Sequence, residues 1–80
     1  MDNWKVVGVV VEGERINIGG VNPWNHEWKA MEQEPVLLPH PSYSTQMHTM
    51  RIYQIETAGR FIPFAAGELS ANVWGFYVQA

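Results

Sequence analysis

The stretch Arg60 to Val78, RFIPFAAGELSANVWGFYV, leaves this chain the fewest options. It carries Phe61, Ile62, Phe64, Leu69, Val73, Trp74, Phe76, Tyr77 and Val78. It reads as two strands joined by a two-residue turn at Ala71-Asn72, since Asn tolerates the left-handed backbone such a turn needs. Leu69 then faces Trp74, Gly67 faces Phe76 and Ala65 faces Val78, small against large on one face. The other face carries Phe64, Ala66 and Glu68 against Tyr77 and Gly75. Both faces are apolar, whereas a sheet with one wet face alternates apolar and polar. Two apolar faces require two covers: another layer of this chain on one, a second subunit on the other. A bulge at Ala65-Ala66-Gly67 would flip the residues beyond it.

The N-terminal strand pattern supplies one cover. Lys5 to Val11 is β-branched and reads as a strand. A turn at Glu12-Gly13 and the alternating Glu14 to Ile18 complete a hairpin in which Val9 meets Ile16 and Val7 meets Ile18. Its core face is Val7, Val9, Val11, Ile16 and Ile18. Asn22-Pro23 resembles a helix start, with Asn as cap and Pro at the first position. Trp24, Trp28 and Met31 then fall at helical spacing, which predicts a short helix near residues 23–33, ended at Glu34-Pro35. The competing reading is an irregular loop pinned by its two Trp rings.

Pro35 to Pro41 is an edge strand or an extended strap, because Pro cannot donate to a ladder. Met47 to Glu56 reads as a strand. A turn at Ala58-Gly59 pairs Ile55 with Ile62, Tyr53 with Phe64 and Glu56 with Phe61, so the C-terminal half is a three-stranded meander. The expected fold is mainly β, a single domain over residues 1–80. It is a small antiparallel sheet or partly open barrel built from the N-terminal hairpin and the meander, and α+β if the helix near 23–33 forms.

Composition narrows the function classes. The 80 residues include no cysteine, so neither disulfide nor thiolate metal site is available. Only 16% are charged, against ~25% in an average soluble protein. A Trp-rich domain with so few charges has surface that is not meant for water, and a homodimer is the expected cover. The net charge of −3, without a Lys/Arg cluster, argues against nucleic acid. The N-terminus lacks signal-peptide character and Val6–Val11 is too short to span a bilayer, so a cytoplasmic, membrane-free protein is expected.

Chemistry-bearing residues are few. His26, His40 and His48 raise a metal site, but their spacings of 14 and 8 residues place no two on one rigid element. Three separate histidines are the better reading, and no cofactor is expected. Glu68 lies inside an apolar strand, where a carboxylate must be paired or sit at an edge. With Arg51 as partner it is a candidate structural ion pair, and with His48 a candidate acid/base. No nucleophile elbow or phosphate loop is present, so an enzyme is disfavoured. The segment Trp24 to Tyr43 gathers Trp24, His26, Trp28, His40 and Tyr43, the aromatic, polar-tipped residues of a candidate binding surface. Two functions follow. The first is a protein–protein interaction module that self-associates through an apolar sheet face and presents the Trp/His segment or a sheet edge to another protein. The second is a ligand-binding or enzymatic domain with a pocket using His40, His48, Glu68 and Arg51.

Overall fold

The computed structural model describes residues 3–43 and 45–80. Its strands are β1 (Trp4–Val11), β2 (Lys29–Ala30), β3 (Val36–Pro39), β4 (Met47–Thr57), β5 (Arg60–Ser70) and β6 (Val73–Gln79). They form one antiparallel sheet in the order β1-β6-β5-β4-β2, with β3 paired to β4 off this path. The sheet does not close into a barrel.

The meander forms as its sequence predicts. Ala58 and Gly59 both take positive φ, 49° and 74°, as a two-residue hairpin turn requires. Ile55 then faces Ile62, Tyr53 faces Phe64 and Glu56 faces Phe61. The β5–β6 turn is also at Ala71-Asn72, with Asn72 at φ 62°. The register beyond it differs from expectation by one residue. A bulge falls at Leu69, between Glu68 and Ser70, so Glu68 faces Trp74, Ala66 faces Phe76 and Ala65 faces Tyr77. One core face therefore gathers Ile55, Ile62, Phe64, Ala66 and Phe76. The opposite face gathers Met50, Ala65, Tyr77 and Leu38.

The N-terminal hairpin does not form. The Glu14 N–H donates to the Val11 carbonyl at 2.8 Å, so the chain turns where expected. Residues 14–17 nevertheless make no ladder, and β1 pairs with β6 instead. The open edge of β6 offers β1 a full-length partner, which frees Ile16 and Ile18 to cross over the first core face. Ile18 is completely buried there, and the Ile16 Cδ1 lies 3.5 Å from where a Cβ on Gly8 would stand. A second bulge, between Val6 and Gly8, rotates the strand. Val7 and Val10 turn inward, while Val9 and Val11, expected in the core, are 40% and 55% exposed.

The helix near 23–33 is also absent; a single 3-10 turn, Pro23–Asn25, stands in its place. Its start signal works as predicted, the Asn22 side chain accepting from the Trp24 N–H at 3.3 Å. Continuing the helix would forfeit two tertiary demands. The Trp28 Nε1 donates to the Pro23 carbonyl at 2.7 Å, and Lys29 and Ala30 pair in extended form with Gln54 and Tyr53. The loop pinned by its two Trp rings is the reading that holds. Trp24 packs edge-on against Phe76 at 5.5 Å and Trp28 against Phe64 at 5.2 Å.

The second face is closed from within as well, so no second subunit is required there. Tyr77 is fully buried there. β3 and the first half of β4 fold Leu38 and Met50 onto Ala65 and Tyr77, flanked by Trp4, Val36 and Leu69. Gly67 makes this approach possible: a Cβ there would lie 2.7 Å from the Met50 Sδ and 3.2 Å from the Thr49 carbonyl. Met50 has no exposed surface, and the Thr49 carbonyl is fixed in the ladder with Leu37. Gly67→Ala should therefore destabilise the fold by about 1–3 kcal/mol, the usual cost of overpacking. Urea titration should show this as a lower midpoint with an unchanged slope.

Candidate functional site

His40 and His48 are brought together; His26 is not. β3 ends at Pro39 and β4 begins at Met47 opposite it, which sets the two imidazoles 5.3 Å apart, centre to centre. The His40 Nδ1 accepts from the backbone N–H of Ser42 at 3.0 Å and of Tyr43 at 3.3 Å. Its ring also lies 5.0 Å from that of Tyr43. His40 thus braces the connection between β3 and β4. Among the described residues, the His48 Nε2 is buried without a partner. His26 belongs to the other cover, where its N–H closes the 3-10 turn on the Pro23 carbonyl. Among the described residues, no three His, Cys, Asp or Glu side chains converge as a metal site would require.

Glu68 is exposed, not held inside an apolar surface. The bulge at Leu69 lets its carboxylate reach over the turn, where it accepts from the Asn72 N–H at 3.2 Å. Arg51 is exposed as well, opposite Ala66. Both point to the face of Trp74 and Ala66, whereas His48, opposite Leu38, belongs to the other side. The four residues of the expected pocket are therefore divided between two faces. Two shallow clefts flank β2 instead. One of about 250 Å³ is lined by Glu27, Lys29, Gln54 and Glu56, the other of about 360 Å³ by Lys29 to Glu32 and Gln54.

Trp24 and Trp28 pack their rings on the core, and the Trp24 Nε1 is buried without a partner among the described residues. Tyr43 is 61% exposed beside His40.

The surface that sequence reasoning missed is β1. Among the described residues its only ladder partner is β6, so its other edge is open. Val6, Val9 and Val11 are exposed on it. The signal was Gly8, which interrupts a run of valines and marks a bulge. Hydrogen bonds at the two ends of the ladder settle which backbone groups point outward. Glu12 donates to the Asn72 carbonyl and Ala80 to the Asn3 carbonyl. Hydrogen-bonded and non-bonded pairs alternate in an antiparallel ladder. Trp4, Val6, Val9 and Val11 therefore direct their N–H and C=O groups away from β6. The Val11 carbonyl agrees, since the Glu14 N–H binds it from outside.

No family model, curated protein or solved structure matches this chain. Among the described residues, no helix is long and apolar enough to cross a membrane.

One buried hydroxyl ties the β3–β4 connection to the sheet. The Tyr77 OH donates to the Pro39 carbonyl at 2.7 Å, and burial raises its pKa above the usual 10.0. Tyr77→Phe should cost about 1 kcal/mol, the ordinary worth of such a bond. A folded-state pKa raised above the unfolded value means stability held in full below pH 10 and lost as pH rises through the folded pKa. Thermal melts between pH 9 and 11 should show that loss in the parent and less of it in the Phe variant.

Proposed function

We propose that this chain is a protein–protein interaction module that self-associates, as a dimer, through an apolar sheet surface. The observation that carries this reading is the exposure of Val6, Val9 and Val11 along one side of an open edge strand, at 45%, 40% and 55%. Natural sheets usually blunt an edge of this kind with charge, proline or a cover. β1 has only Lys5, whose side chain lies on the other face, opposite Val78. Scattered single apolar residues need no explanation, but three valines on one flank of an edge where Trp4, Val6 and Val9 have no outer ladder partner among the described residues form a surface that water serves poorly. The site is an edge and its flank, not a concave pocket with converging titratable groups, which favours association over catalysis. The lack of cysteine agrees with a cytoplasmic setting.

Size-exclusion chromatography with light scattering at micromolar concentration should give twice the monomer mass; a monomer overturns the reading. Val9→Lys should weaken association by about tenfold or more, because it sets an unpaired charge in the interface. Its melting as an isolated chain should be unchanged, since Val9 is not in the core.

A further inference from the structure

Resting on that reading, we infer that the partner at β1 is a second copy of β1, antiparallel across a two-fold axis between Val7 and Gly8. In this register Val6 faces Val9 of the second copy, and Trp4 faces its Val11.

The bulge sets the register. Along an ordinary strand, outward-pointing backbone groups recur at every second residue. Along β1 they occur at Trp4 and Val6, then at Val9 and Val11, because the bulge inserts one residue between Val6 and Gly8. A regular strand laid along this edge can match one half of β1 and must lose the other. A second β1, running the opposite way, carries the same widened step. When the two steps are set against each other, all four outward residues of each copy meet outward residues of the other; the Val11 carbonyl, which already accepts from the Glu14 N–H, has a second lone pair for Trp4 of the second copy. No other antiparallel register of β1 on itself matches all four. Every other register matches at most two of the four.

Side chains agree with this register. The pairing partners of Val6, Val9 and Val11 place these valines on the same face as Tyr77 and Gly75. Val6 of each copy therefore stacks on Val9 of the other, a cross-strand β-branched pair. Charge also agrees. Lys5 faces Val78 on the opposite face, and Glu12 is on that face too, its Oε1 accepting from the Trp74 Nε1 at 3.0 Å. The register sets Lys5 diagonal to Glu12 of the second copy, within reach of a long side chain, and the two-fold axis repeats the contact. A bulge normally protects an edge from foreign strands. Here it still excludes them, and it admits only a strand bearing the same bulge.

The chain has no cysteine, so introduced thiols report without background. Val6→Cys and Val9→Cys are prepared separately, in chains of different tag length, then mixed and mildly oxidised. Facing residues in such a pair lie about 5.5 Å apart at Cα, within disulfide range. Val6 and its own copy lie roughly 10 Å apart, as do the two Val9, being offset along the strands. The mixed disulfide should form at least about tenfold faster than either like-with-like disulfide. A dimeric protein in which like-with-like disulfides form as fast or faster overturns the register and leaves self-association standing. A monomeric parent protein overturns both. Lys5→Glu gives a second reading of the interface, because it should raise the dissociation constant about threefold to tenfold by setting like charges together.

Discussion

Two adjacent strands that are apolar on both faces, β5 and β6, govern this molecule. A sheet centre of this kind cannot stand in water on either side, so the remaining chain is spent on covering it. On one side the irregular run from Ile16 to Trp28 lays Ile18, Trp24 and Trp28 over Phe64 and Phe76. On the other, β3 and the first half of β4 lay Leu38 and Met50 over Ala65 and Tyr77. The ring pairs formed by Trp24, Trp28, Phe64 and Phe76 each contribute about 0.5–1.5 kcal/mol beyond burial. A single bond such as Tyr77 to Pro39 contributes about 1 kcal/mol. Packing therefore carries the stability, and the few buried hydrogen bonds fix where each cover sits.

The two bulges decide which residue belongs to which cover. Without the one at Leu69, Phe76 would lie on the side of Gly67, and its contact with Phe64 at 6.0 Å would be lost. Without the one beside Val7, the valines of β1 would alternate in one phase from end to end. With it, Val10 enters the core while Val6, Val9 and Val11 share the outer face. One inserted residue thus fills one side of the sheet and leaves a surface on the other.

This explains what could be read from the residues and what could not. The β4–β5 hairpin was legible because Ala58-Gly59 and the apolar pairing agree on one register. The β5–β6 turn was legible at Asn72, but the register was not, because a bulge changes the pairing without changing composition. The first hairpin misled because Val9–Ile16 and Val7–Ile18 is a sound local pattern that loses to a longer ladder with β6, some seventy residues away in sequence. The helix misled in the same way: Trp24, Trp28 and Met31 satisfy helical spacing, and both Trp rings reach the same core from a loop. At the candidate site, His40 and His48 converge only because β3 and β4 pair end to end. Glu68 was placed inside an apolar surface because the bulge beside it cannot be seen from its neighbours.

The sheet's two edges are unlike, and the difference bears on how copies can meet. At the β4 end stand two short strands, β2 with Lys29 and Ala30 among the charges of Glu27, Glu32 and Glu56, and β3 with four residues ending in Pro39. β1 ends the other with eight residues lined by valine. Head-to-tail growth would join a β1 edge to β2 or β3, and strands of two and four residues, the second ending in a proline, offer too little ladder to hold it. Pairing β1 with β1 uses the same edge on both copies, so it closes on itself and leaves only blunt edges outside. On the proposed two-fold register, the strand that would otherwise be an aggregation hazard becomes the interior of a continuous sheet. The bulge that made it irregular then also limits what can join it.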